Sequence, residues 1–324
     1  MYNIEQLTQL IEGKIKDLQL LNEPKGLFEP IEYILQIGGK RIRPILMLLS
    51  YNLYKNDVEN IINQALAYEV FHNFTLMHDD VMDNSDIRRG APTVHKKWNI
   101  NTAILSGDAM LIEAYMMLMN SEKPIPLNVL EVFSKVALDV CIGQQHDMDF
   151  EKQQNIKVEQ YLEMIRLKTA VLLSASIATG AILGGANVSD IKLLSEFGEK
   201  IGIAFQLQDD LLDTFGDVKT FGKNIGGDII SRKKTYLMLS ALSSKDKIYS
   251  LKLTELINNK EIDSSRLIAE VVSIYNKLNI KEKTENLILD YYNKSIDCLK
   301  KISVTEDKKE MLYKIADLIY KRSK

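Results

Sequence analysis

Cysteine is scarce in this chain. Cys141 and Cys298 are the two present in 324 residues, and no CxxC pair occurs. That argues against a disulfide framework or a cysteine-based zinc site and makes a reducing cytoplasm the expected setting. Proline is also sparse: six residues, at positions 24, 30, 44, 92, 124 and 126, and none beyond. Everything after residue 126 therefore lacks a strong helix breaker. Period-two alternation of apolar and polar residues is missing, so there is no signal for β-sheet. Neither sign of charge dominates, with a formal net charge of −3 and a pI of about 5.9. Nothing in that balance points to a nucleic-acid partner or a polybasic membrane anchor. No internal repeat, low-complexity tract or linker occurs, and residues 1–324 are expected to form one domain.

What the sequence does contain is helical periodicity. Ile4, Leu7, Ile11 and Ile15 recur at three- and four-residue spacing, as do Ile288, Tyr292, Ile296 and Leu299 late in the chain. With 46% apolar residues, the expectation is an all-α bundle of roughly a dozen helices. Breaks are expected near 22–27, 36–40, 84–98, 121–126, 150–157, 216–232, 243–247, 258–263 and 302–306, where Gly, Pro, Asn, Asp, Ser or charge clusters fall. The charged N-terminus reads as an amphipathic helix and not a signal peptide. Thr169–Ser189 carries no charge and is long enough to span a bilayer. Its Ala, Ser, Thr and Gly content, with a Gly180-x-x-x-Gly184 spacing, favours a buried helix or a subunit interface, and no transmembrane segment is expected.

The chemistry concentrates in two acidic motifs. Asp79, Asp80 and Asp83 end a helical pattern that begins near Val58. On a helix, Asp79 and Asp83 lie about 40° apart. Three carboxylates this close repel one another, at a helix C-terminus that already disfavours anions. A bound cation relieves both costs. The arrangement recurs at Asp209, Asp210 and Asp213, closing a long apolar helix from about Ile191. All-oxygen ligands suit a hard cation, and Mg2+ takes one or two carboxylates plus substrate phosphates. A di-iron bundle needs two Glu-x-x-His motifs, and this chain has one, Glu69-Val-Phe-His72. DDVMDNSDIRR lacks the ligand spacing and central glycine of an EF-hand.

Clustered cations accompany the acids. Gly38-Gly39-Lys40-Arg41-Ile42-Arg43-Pro44 opens a helix after two glycines, a setting that offers backbone N–H groups to phosphate. Arg88 and Arg89 follow the first motif; Lys168 precedes Thr169; Lys223 and Lys233 follow the second motif. Arginine forks suit phosphate oxygens. Together these imply two diphosphates, one bridged by metal and one held by Arg and Lys.

With GGKRIRP (38–44), HNFTLMHDDVMD (72–83), RRGAPTVH (88–95), GQQHD (143–147), KT (168–169), FQLQDDLLD (205–213), GK (222–223) and DIISRKKT (228–235), the sequence resembles the trans-isoprenyl diphosphate synthases, or polyprenyl synthetases, over essentially its whole length. The resemblance implies a helical bundle around a central deep cavity, and a homodimeric, Mg2+-dependent prenyltransferase that condenses isopentenyl diphosphate head to tail with allylic diphosphates. It implies about three Mg2+ ions with substrate bound, held by aspartates at only one or two carboxylates each. Asp79, Asp80 and Asp83 would bind the metal on one side of the allylic diphosphate, and Asp209, Asp210 and Asp213 on the other, with Asp147 assisting. Arg88, Lys168 and Lys223 would hold the allylic diphosphate, with Lys233 beside them. Lys40, Arg43, His72 and Arg89 would hold isopentenyl diphosphate, and Thr169 and Gln206 would face the developing allylic cation. The family usually carries a Glu-Gly-Lys-like element where this chain has Ser231-Arg232-Lys233, which leaves open whether Lys233 or Lys234 acts.

Product length follows from the residues beneath the first motif. By comparison with the family, Phe74, five positions before Asp79, resembles the floor of short-chain enzymes, with Thr75 beside it. An ideal wheel places Phe74 about 140° from Asp79 and would not select it. The combination suggests a C20 product (geranylgeranyl), then C15 (farnesyl). A class I terpene cyclase and a subunit of a heteromeric synthase are the competing readings. The first is disfavoured by the repeated DDxxD and the Lys40/Arg43/Arg89 set, the second by intact acidic motifs.

Overall fold

A computed structural model describes residues 2–18, 23–122, 124–216 and 226–321. The fold is all-α, as the periodicity predicts. In chain order the helices are α1 (Ile4–Lys16), α2 (Lys25–Gln36), α3 (Ile42–Asn52), α4 (Ile62–Met82), a short α5 (Val94–Lys97), α6 (Ile100–Met119), α7 (Leu127–Lys152), α8 (Val158–Ile165), α9 (Val171–Gly184) and α10 (Val188–Phe215). Later helices span Gly227–Ile230, Tyr236–Leu242, Lys247–Asn258, Ser264–Lys277, Ile280–Lys301 and Glu306–Tyr320. Among the described residues the only strands are β1 (Ile87–Arg88) and β2 (Ala91–Pro92), a two-rung antiparallel hairpin. The expected breaks fall at helix boundaries over their described residues, except that 84–98 also holds the short α5 and 216–232 the one-turn helix Gly227–Ile230. Local chemistry explains the starts: Asn3 forms a capping box with Gln6, while Asn99, Asp246 and Asp263 accept backbone N–H bonds at their helix ends.

Two differences from expectation have local causes. The pattern near Val58 begins as a 3-10 turn, Val58–Ile61, before α4 starts at Ile62. The uncharged run Thr169–Ser189 is not one helix: Thr169 lies in a π turn, Arg166–Ala170, and left-handed Gly185 (φ 83°) ends α9.

The chain divides into two compact units. The first takes residues from Met1–Phe133, Ala175–Lys192 and Ser303–Leu312. At its centre α4 is buried along most of its length, with Ala65, Ala67 and Tyr68 at 0% exposure. Its larger apolar side chains Leu66, Val70 and Phe71 are also buried, and each contributes on the order of 1.5–3 kcal/mol by leaving water. Gly180 and Gly184 let the α9 backbone approach α3: a Cβ at Gly180 would stand 2.1 Å from the Met47 carbonyl oxygen, and one at Gly184 3.3 Å from that of Tyr51. The predicted close contact at this spacing is therefore present.

The second unit takes residues from Ser134–Ser174, Leu193–Ile302 and Tyr313–Lys324. Its core includes Phe197, Ile201 and Leu207 of α10, all at 0% exposure. Gly202 brings α10 against Ala170 of the π turn, and Gly143 brings α7 within 2.4 Å (measured to an added Cβ) of the Lys168 backbone nitrogen. Those two glycines fix where Lys168 and Thr169 stand. Two helices are long and apolar enough to cross a membrane by composition: Ile100–Met119, 39% buried, and the continuous stretch Val158–Gly184, 72% buried.

Candidate active site

In the first unit, α4 ends at Met82 with Asp83 as its C-cap. Asp79 is half-buried and Asp83 exposed. Asp80 is different: it is 2% exposed and accepts a two-pronged fork from Arg88, Nε to Oδ2 and Nη2 to Oδ1, both 2.7 Å. The hairpin β1–β2 delivers that arginine. Arg89 and Gly90 both take left-handed backbone (φ 51° and 79°), as a two-residue loop matched to strand twist requires. Arg88 pairs with Ala91 in the ladder, and the neighbouring Arg89 reaches back, its Nη1 donating to the Gly38 carbonyl.

Gly38 and Gly39 precede α3 with φ of 89° and 159°. An added Cβ at Gly39 would stand 2.9 Å from the Arg89 guanidinium. Lys40 is exposed and Arg43 half-buried. The Arg43 Nε has no hydrogen-bond partner, and burial lowers its pKa to about 10, against a pull upward from Glu69. His72 lies in the same field. Burial first, and then Arg43, Arg89, Arg88 and Arg41, hold its imidazole well below the usual range, so it is neutral near pH 7. The structure thus gathers Arg43, His72, Arg88 and Arg89 into one cationic region, as the motifs led one to expect. A region with this much unmatched positive charge is suited to a multiply charged anion.

The second motif has the opposite problem. Asp210 is 6% exposed, and its pKa is pushed up to about 8 by burial and by the nearby Asp228, against the pull of Tyr161, Gln206 and Lys233. The Tyr161 hydroxyl donates to Oδ2, and Gln206 Nε2 donates to Oδ1 at 3.1 Å. Thr169 Oγ1 donates in turn to Gln206 Oε1 at 3.0 Å, which joins the π turn to the acidic motif. Asp213 accepts from the backbone N–H groups of Asp228 (2.9 Å, to Oδ2) and Gly226 (2.6 Å, to the carbonyl). Asp147 takes Lys168 at 2.8 Å and Lys233 at 3.5 Å. Burial opposes its ionisation, but those two lysines outweigh it and lower its pKa.

Lys233 and Lys234 are now distinguished. Lys233 joins Asp147, whereas Lys234 donates to the carbonyls of Phe150 and Gln153, holding the end of α7. Lys223 lies outside the described residues. Sequence reasoning missed three residues here: Arg41, Tyr161 and Asp228. Asp228 stood inside the quoted DIISRKKT motif, where a carboxylate among cations was available as a signal. Tyr161 carried no local signal, because its partner is distant in sequence.

In the turns of α4 before the first motif, Phe74 is 8% exposed, tilted against Phe71 (5.5 Å between ring centroids) and edge-on to His78 (4.8 Å). Phe71 continues to Phe133 of α7, which also meets Tyr68 and Tyr115. An aromatic column therefore precedes Asp79 along α4. Thr75 donates to the His72 carbonyl at 2.8 Å.

A hard cation fits this donor set. The groups are carboxylate oxygens, and Asp210, raised first by burial, also feels the neighbouring carboxylate Asp228. Among the described residues no three such side chains close around a single point, which suits an ion that draws its remaining ligands from water and phosphate.

Known proteins place the chain. The polyprenyl synthetase family model matches residues 24–275. The short chain isoprenyl diphosphate synthase of Methanocaldococcus jannaschii is 39% identical over 83% of this chain and 82% of its own. The geranylgeranyl diphosphate synthase of Sulfolobus acidocaldarius is 36% identical over 87% and 86%. A solved geranylgeranyl pyrophosphate synthase superposes with a TM-score of 0.94 at 39% identity over the whole of both chains. The fold and the family model define a prenyltransferase of the isoprenoid-synthase type. The chain belongs to the polyprenyl synthetase family.

Proposed function

We propose that this prenyltransferase condenses isopentenyl diphosphate with allylic diphosphates up to C20, giving geranylgeranyl diphosphate, with Mg2+ as its cofactor. The observation that carries the reading is the neutral His72 among four arginines, one of which already forks a motif aspartate. That is a diphosphate-binding field beside a carboxylate site.

Asp79 and Asp83, and in the second unit Asp209 and Asp213, would supply oxygens to Mg2+ carried with the allylic diphosphate. When bound, about three such ions supply Lewis-acid stabilisation of the departing diphosphate. Asp80 and Asp210 are already engaged, and they position Arg88 and Gln206. Arg88, Lys168, Lys223 and Lys233 hold the allylic diphosphate, with Asp147 orienting two of the lysines. Lys40, Arg43, His72 and Arg89 hold isopentenyl diphosphate. The allylic C–O bond breaks to release diphosphate, the isopentenyl double bond attacks the resulting cation, and a proton leaves the adjacent carbon for the departing diphosphate. Thr169 and Gln206 present oxygen lone pairs to that cation, Thr169 spending its donor on Gln206 and Gln206 donating to Asp210. Phe74, backed by the aromatic column and Thr75, limits tail length.

In this reading residues 1–324 act as a single synthase domain. We place it in the cytoplasm as a homodimer. Ile104, Leu105, Ile112, Met116 and Met119 of α6 lie 43–61% exposed, an apolar stripe suited to a second copy. The buried α9 offers less such surface than its composition suggests.

The test is product analysis with Mg2+, isopentenyl diphosphate and C5, C10 or C15 primers, with an EDTA control. A C20 alcohol after dephosphorylation that vanishes with EDTA is expected. Cyclic hydrocarbons would decide for a cyclase, and no condensation for a missing partner subunit. Phe74→Ala should lengthen the product; an unchanged product removes Phe74 as the floor.

A further inference from the structure

Glu69 and Arg41 belong to none of the roles above, and their contacts are unusual. Arg41 is 2% exposed and every arm of its guanidinium is used. Nε donates to Glu12 at 2.8 Å, Nη1 to Glu69 at 2.7 Å and Nη2 to the Leu35 carbonyl at 2.7 Å. Its backbone is left-handed (φ 48°, ψ 33°) and serves as the N-cap of α3 without a side-chain cap. A non-glycine residue held there needs surrounding contacts to fix it. Those contacts bind the turn that carries Lys40 on one side and Arg43 on the other. Glu69, on α4 and 2% exposed, is the buried end of the tie, and it also accepts from Asn73 Nδ2 at 3.1 Å. It lies one helical turn from His72. The lone Glu-x-x-His of the sequence is thus no metal motif: its glutamate joins the arginine turn to the helix that bears the histidine.

We infer that Glu69, acting through Arg41, is a positioning residue for the non-allylic diphosphate: the buried pair sets the turn that aims Lys40 and Arg43 and leaves the allylic side untouched. This rests on the proposed function. Two further observations agree. Glu69 is the counter-charge felt by Arg43 and Arg89 as well as Arg41. Arg88, assigned to the allylic diphosphate, is anchored separately, on Asp80.

The experiment compares the full-length protein with Glu69→Gln and Glu12→Gln. Initial rates are measured with isopentenyl diphosphate varied at saturating allylic primer, and the reverse, with thermal melts to confirm folding. Gln keeps the size of Glu69 and an acceptor oxygen but removes the charge. Glu69→Gln is expected to raise KM for isopentenyl diphosphate about tenfold, with allylic KM and kcat within about twofold. Glu12 is one-third exposed, and its variant should show the same selectivity at about twofold to threefold. A parallel rise in both KM values, or no change in a folded variant, overturns the inference. If Glu69→Gln does not fold, Glu12→Gln decides by the same criterion. Failure of the unmodified chain to condense any primer would overturn the parent reading and this inference together; normal condensation with unselective variants overturns this one alone.

Discussion

The two acidic motifs have the same spacing, yet their surroundings carry opposite charge. In the first unit the central Asp80 is matched by an arginine fork; burial lowers Arg43 to about 10, and burial followed by the neighbouring arginines keeps His72 neutral. In the second unit the central Asp210 meets a tyrosine, a glutamine and another carboxylate; burial first, and then Asp228, push it to about 8. One DDxxD pattern therefore serves two electrostatic tasks. The first lies beside a region that demands an anion, and the second demands a cation.

The comparison can be broken most severely at the outer aspartates. Asp79→Ala and Asp209→Ala should each reduce kcat by about a thousandfold or more with the fold intact by circular dichroism. Near-full activity in both would end the metal-bridge account. Next comes a change that alters no charge. Gly143→Ala would drive a methyl group into the Lys168 backbone, displace the π turn and lower kcat by about a hundredfold in the second unit's site alone. A merely additive loss when combined with Arg88→Lys would show that the two sites fail independently. Arg88→Lys keeps the charge but loses the fork, and should raise allylic KM about tenfold.

The smallest effect is the most diagnostic of the contrast. Asp210 is raised in the folded chain, so between about pH 4 and about 8 the folded protein keeps a proton that the unfolded chain has released. Metal-free stability from this group therefore falls as pH rises through that window. His72 is depressed, so below the ordinary 6.5 the unfolded chain binds a proton that the folded one refuses, and stability falls as pH drops. Melts of EDTA-treated protein across pH 5–9 should show Asp210→Asn flattening the alkaline decline and His72→Gln flattening the acid one. The same slope change from both variants would refute opposite polarity.

Much of this was legible in the sequence. The breaks near 36–40, 84–98, 150–157 and 243–247 were marked by residues that disfavour helix locally, and the acids and cations were marked by repetition. The π turn was not legible, because nothing in Arg166–Ala170 distinguishes it from α-helix; it is set by Gly143 and Gly202 on other helices. Nor was the division of labour within each DDxxD. Which aspartate is buried depends on what stands opposite it: Arg88 from a hairpin in one case, Tyr161 from α8 in the other. Arg41 stood in the quoted motif between Lys40 and Arg43 with no role of its own, and its three hydrogen bonds reveal an internal tie.

The Asp80–Arg88 fork bears on turnover. An arginine that grips a diphosphate with nothing else to hold would release it slowly. Here a carboxylate of matched shape already holds both prongs of the guanidinium. On the proposed assignment of Arg88 to the allylic diphosphate, Asp80 would be a built-in rival for the spent pyrophosphate, one that would shorten its residence and limit product inhibition before the next primer arrives.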